Sequence, residues 1–97
     1  MPPRIKQPAL FILEDQVDRC HEDLLRMTRK KLSDFPTSDQ LKDYLKKLKA
    51  AKKEFTEQSQ SLSRRMLKNG VKHQADEVTD TRHQANEEVS QYIMGAN

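Results

Sequence analysis

Apolar residues recur at Leu10, Leu13, Val17, Cys20, Leu24 and Met27, with gaps that alternate between three and four. This is a heptad seam along one face of an α-helix. With Leu10 at heptad position a, Phe11, Leu25 and Leu32 all fall at position b, about 100° around the helix. So wide an apolar arc exceeds what a two-stranded coiled coil needs, and it predicts packing against at least two other helices. The helix is expected to span about 9–33, ending before Pro36 because a proline pushes the preceding residue out of helical space.

A second start signal follows at Thr37. Its side chain is placed to cap a helix, and Gln40 stands three residues on, the spacing of a capping box. Leu41, Tyr44 or Leu45, Leu48, Ala51, Phe55, Leu62 and Met66 continue the helical period to Lys68-Asn69-Gly70. Gly70 suits the left-handed stop of a helix, with Val71 folding back on Met66 as in a Schellman motif. This helix, about 38–69, should be roughly 45 Å long. A third seam runs through Val71, Ala75, Val78, Arg82, Ala85, Val89, Tyr92 and Ala96, predicting a helix over about 72–94. It is lean, because an alanine buries far less area than a leucine. Arg82 interrupts the stripe and must snorkel or find a carboxylate. The third helix is expected to be the least stable unless a partner covers it.

Composition agrees with three helices. The chain has 97 residues, 34% of them apolar and 34% charged, with two glycines. The apolar share lies below the roughly 45–50% usual for globular chains, so the core should be thin. Pro2, Pro3 and Pro8 bound a basic arm over residues 1–8, read as flexible, and residues 9–97 form one all-α domain. A three-helix up-down-up bundle and an extended coiled-coil assembly both fit. No apolar run is long enough for a spanning helix and no secretory leader is evident, so the expectation is an intracellular protein, cytoplasmic or nuclear. Cys20 is the sole cysteine; at a seam position it reads as an apolar filler rather than a reactive thiol.

Near the C-terminus KHQADE returns as RHQANE ten residues later. Both alanines, Ala75 and Ala85, stay on the seam, while His73 and His83 point to solvent about 80° and about 15 Å apart. Two such histidines cannot share one metal ion, and no metal site or cofactor is expected. His73-Glu77, His83-Glu87 and Lys72-Asp76 are instead spaced as weak intrahelical pairs.

Charge is segregated along the chain. Residues 9–25 carry a net −4, residues 26–72 a net +9, and residues 73–97 a net −4. Lys42, Lys46, Lys49 and Lys53 form one basic stripe, flanked by Lys47 and Lys52, and Arg26, Arg29, Lys30 and Lys31 form a second cluster. Up-down-up folding brings both clusters to one pole, where they could meet an acidic protein surface or nucleic acid phosphates. The plain alternative is a solvated lysine face. The lack of Trp, and of any glycine-rich or zinc-finger signature, argues against sequence-specific nucleic-acid recognition.

No nucleophile elbow, phosphate loop or zinc-protease box is present, and so thin a core cannot enclose much of a pocket, so an enzyme is not expected. The stretch SDQLKDYLKKLKAAKKEFTEQSQSL, followed by RHQANEEVSQYI, resembles the helical N-terminal region of Gag-like retroelement polyproteins. The resemblance implies a self-assembling helical module; no zinc knuckle accompanies it. The reading is a non-catalytic interaction module, a small subunit or adaptor that self-associates, as a homodimer or within a complex, or docks on an acidic partner. The alternative is a nonspecific nucleic-acid binder. Its packing seam is Leu10, Leu13, Val17, Cys20, Leu24 and Met27 in the first helix. Leu41, Leu48, Phe55 and Leu62 continue it in the second, and Val78, Val89 and Tyr92 in the third.

Overall fold

The computed structural model describes residues 6–95, with side chains for 10–31 and 33–95. Three helices follow one another: α1 (Lys6–Thr28), α2 (Ser38–Lys68) and α3 (Lys72–Gly95), with a single 3-10 turn at Leu32–Asp34 between the first two. They pack as an up-down-up bundle in which α2 is the shared spine, and α1 and α3 touch each other less extensively than either touches α2. The body measures 57 × 21 × 16 Å with a radius of gyration of 16.1 Å, against about 12.5 Å for a compact chain of this size. It is a long, thin bundle rather than an opened helical hairpin.

Both local signals around α2 act as the residues dictate. Thr37 has extended backbone angles, and its Oγ1 accepts a hydrogen bond from the Gln40 amide at 3.2 Å, satisfying one of the orphan donors of the first turn. At the other end Gly70 takes φ +79°. The Val71 amide donates to the Met66 carbonyl at 2.8 Å and the Gly70 amide to the Leu67 carbonyl at 3.1 Å, the paired bonds of a Schellman stop.

The first helix departs from its expected limits at both ends. It begins at Lys6, taking in Lys6, Gln7 and Pro8 from the arm expected over 1–8; residues 1–5 lie outside the described residues. It stops at Thr28 rather than near Ser33. The last turn tightens, with amides of Arg29 and Lys30 donating to the carbonyls of Arg26 and Met27, and Thr28 Oγ1 donates to Leu25. Pro36 acts only on its neighbour Phe35, seven residues beyond Thr28 and too far along to set this end. Two hydroxyls from other helices define it instead: Tyr44 Oη donates to the Met27 carbonyl at 2.8 Å and Tyr92 Oη to the Lys30 carbonyl at 2.7 Å. Leu32 thereby leaves α1, and its side chain lies outside those described, as does Ala96.

The core is a single file along α2. Leu48 is 0% exposed and Phe55 1%, and with them Val17, Leu24, Leu62, Met66, Ala75, Ala85 and Val89 are buried. Leu10, Leu13, Cys20, Met27, Val78 and Tyr92 are half-buried against that file, and Leu41 is half-buried at the start of α2. Ser59 and Ser63 are buried as well. Ser59 fills the seam position between Phe55 and Leu62, where the apolar pattern skips a place. Its Oγ donates to the Thr56 carbonyl and Ser63 Oγ to Gln60, each at 3.1 Å, so neither hydroxyl is left unpaired in the interior.

A polar ladder sets the register of α2 against α3. Lys52 Nζ donates to Ser90 Oγ at 3.2 Å, and Asn86 Nδ2 donates to Thr56 Oγ1 at 3.1 Å. The side chain of Arg82 is half-buried, and its Nη1 is buried without a hydrogen-bond partner. Of the two outcomes expected for Arg82, snorkelling or a carboxylate partner, the second is not formed among the described residues, and the buried Nη1 shows that the guanidinium does not reach solvent fully.

Candidate functional site

The eight basic side chains singled out above fall on the end of α1, the segment after it, and α2. Arg26 lies in the last turn of α1, and Arg29, Lys30 and Lys31 follow it; Lys42, Lys46, Lys49 and Lys53 line the outer face of α2. All eight are exposed. The tyrosine contacts to Met27 and Lys30 draw the end of α1, the start of α2 and the end of α3 to one pole. Arg26 pairs with Asp23 on its own helix, and among the described residues none of the other seven makes an ion pair. Their charge is directed outward, toward solvent or a partner.

Aromatic rings stand among these bases and are already engaged. Phe35 and Tyr44 pack with centroids 4.7 Å apart at 45°. Lys30 Nζ lies 5.4 Å from the Phe35 ring centre and 5.7 Å from that of Tyr44, within cation–π range of both. Burial raises the Tyr44 hydroxyl above its ordinary pKa. Tyr92 is raised by burial first, then by Tyr44 and Asp34. Both therefore stay protonated and donate well above neutral pH.

An open groove of about 410 Å³ runs beside the stripe between α2 and α3, lined by Lys49, Lys52, Lys53, Thr56, Glu57 and Ile93. Exposed Lys49 and Lys53, Lys52 held by Ser90, and the Glu57 carboxylate surround one isoleucine, a mainly cationic groove with a single apolar anchor point. Met94, 71% exposed, adds apolar surface one residue on. Ile93 was not among the residues expected from the pattern, because it lies beside the seam residue Tyr92 and off the four-three period. Lys52, by sequence a flank of the stripe, bridges the two helices through Ser90.

The remaining candidates lie elsewhere. His73 and His83 are both exposed on α3. His73 Nε2 lies 3.0 Å from Glu77, while the His83-Glu87 and Lys72-Asp76 pairs expected from spacing are not formed among the described residues. No three His, Cys, Asp or Glu side chains converge as a metal ion would require among the described residues. Cys20 is half-buried, its Sγ 3.7 Å from Gln58 Oε1, and burial, with Glu54 and Asp23, raises its thiol pKa. That environment disfavours the thiolate, so it behaves as a filler. His21 was passed over in the pattern and is stacked on Phe55 with centroids 5.5 Å apart at 18°. No described helix is long and apolar enough to cross a membrane.

Compared with known proteins, the chain matches no family model, no curated protein and no solved structure. What its surfaces can do is therefore argued from their own chemistry.

Proposed function

We propose that this chain is a non-catalytic helical interaction module, a subunit or adaptor that docks an acidic protein surface on the basic face of α2. The observation that carries this reading is the state of Lys42, Lys46, Lys49 and Lys53: all four are exposed, none makes an ion pair among the described residues, and the groove beside them offers Ile93. An acidic helix with one apolar residue toward Ile93 would satisfy charge and apolar surface together. Two-fold pairing through this face would set lysines against lysines, so docking on a different chain is favoured over a symmetric homodimer. Self-assembly of the kind the Gag-like resemblance implies would need heterologous contacts, acidic face against basic face.

Nucleic acid is the competing ligand for the same stripe. Stacking platforms for bases need free aromatic faces, whereas Phe35 and Tyr44 pack on each other and on Lys30. That favours protein. Titrating labelled DNA, RNA and a helical peptide of glutamate and leucine across a salt series separates the two. Peptide binding that survives at physiological salt, with nucleic-acid binding confined to low salt, supports the module. Tighter binding of nucleic acid at every salt concentration would replace it.

A further inference from the structure

We infer that the cleft between α1 and α3 is a second docking site, of opposite sign, that takes a basic amphipathic helix from a partner protein. The bundle closes poorly here. Two cavities, of about 370 and about 260 Å³, follow each other along the cleft and share His21 and Thr81. The larger reaches down to the closed core, where Val17 of α1 and Phe55, Leu62 and Met66 of α2 line its base while staying buried; the accessible apolar side chains along the cleft are the half-buried Leu25 and Val78. On α1 the walls are Glu14, Asp18, His21 and Leu25, at gaps of four, three and four. Phe11 continues this line by a gap of three beyond Glu14 and is 74% exposed. These residues flank the seam of α1, where Phe11 and Leu25 widen its apolar arc. From Glu14 to Leu25 the wall runs about 16 Å, roughly three helical turns.

The rims state the sign of the missing helix. Glu14 and Asp18 stand on one side, Glu77 and Glu88 on the other. Apart from Glu77, which faces His73, none of them makes an ion pair among the described residues. Exposed Phe11 and half-buried Leu25 and Val78 along a cleft with carboxylate rims match an amphipathic helix with a few apolar anchors on one face and lysine or arginine on either side. A second copy of this chain supplies no such helix. Its exposed large apolar side chains among the described residues are Phe11, Ile12, Leu67 and Met94; Leu67 stands beside Arg64, Arg65 and Lys68 in the last turn of α2 but is alone there, without a second exposed apolar anchor one turn away. Phe11 and Ile12 are followed by Glu14 and Asp15, which the rims would repel. An acidic partner on α2 and a basic helix in the cleft would make the chain a bridge between two unlike surfaces.

The test uses the full chain and a labelled helical peptide of leucine and lysine about four turns long, with its glutamate-for-lysine counterpart as control. Binding is followed by anisotropy and located by amide chemical shifts. The expected result is salt-sensitive binding of the lysine peptide, with shifts along residues 14–25 and 74–88. Binding should weaken at least about tenfold in Asp18→Lys with Glu77→Lys, and likewise in Thr81→Trp, which fills the cleft from an exposed position. Lys42→Glu with Lys46→Glu should leave it intact. Circular dichroism of each variant separates lost binding from lost fold. Absence of binding, shifts confined to other surfaces, or affinity unchanged in Thr81→Trp would overturn the proposal. So would self-association of the wild-type chain that Thr81→Trp abolishes, since a second copy would then be the occupant.

Discussion

The Tyr92 hydroxyl donates to the Lys30 carbonyl at 2.7 Å, joining positions 62 residues apart. The last helix thus fixes where the first one ends. Tyr44 makes the equivalent bond to Met27 from α2, and the basic pole depends on both. Tyr92→Phe and Tyr44→Phe should each lower stability by about 1 kcal/mol, the net worth of a typical hydrogen bond. The pair should show coupling, because both hydroxyls hold the same few residues. Urea denaturation of the two single variants and the double variant measures this directly.

The same hydroxyls predict an alkaline limit. Burial raises both tyrosines above the ordinary 10.0, so the unfolded chain releases these protons at a lower pH than the folded one. Their contribution is fully present below about 10 and is lost as pH rises through the folded values. Cys20 acts in the same direction from 9.0. Stability should therefore fall as pH rises past about 9 and on through the raised tyrosine values above 10. The fall should be shallower in the double Tyr→Phe variant, read as the unfolding midpoint at each pH.

Gly70 ends α2 at φ +79°, and a Cβ built there meets nothing within 4 Å. The cost of Gly70→Ala is then conformational rather than steric, about 1 kcal/mol. Thr37→Ala should cost a similar amount, about 1 kcal/mol, through the lost cap on the Gln40 amide. Thermal melts of the two variants should show comparable drops, with additive effects because the sites lie at opposite ends of α2.

Arg82 should behave in the opposite sense. Its Nη1 is buried without a partner, a desolvation cost that an apolar side chain of similar length avoids. Arg82→Met is expected to raise stability by about 1 kcal/mol. A loss on chemical denaturation would mean that the guanidinium serves an attraction the static contacts do not reveal.

These sites also explain what the sequence disclosed. Thr37 and Gly70 were legible because each acts on its own neighbours, through one cap oxygen or one left-handed residue. The lysine stripe was legible because ammonium groups at helical spacing take the hydrated side of a thin bundle. The end of α1 was hidden, since it depends on Tyr44 and Tyr92, 17 and 62 residues from the carbonyls they meet. Ser59 was hidden for a different reason. Its hydroxyl reads as surface, yet a short side chain bonded to its own helix fits the seam where a larger one was missing. The cleft could not be foreseen from Phe11 and Leu25, because an apolar arc implies a covering helix without saying which chain provides it.

The central claim is that the lysine face of α2 receives an acidic partner. Its most direct measurement is amide chemical-shift mapping during titration with the glutamate-leucine helical peptide, on the wild-type chain and on Lys42→Glu, Lys46→Glu, Lys49→Glu, Lys53→Glu combined. The account predicts shifts concentrated on residues 42–56 and around Ile93, weakened by salt and lost in the charge-reversed chain. An acidic peptide that fails to bind, or that shifts residues elsewhere and binds the reversed chain as well, would contradict it.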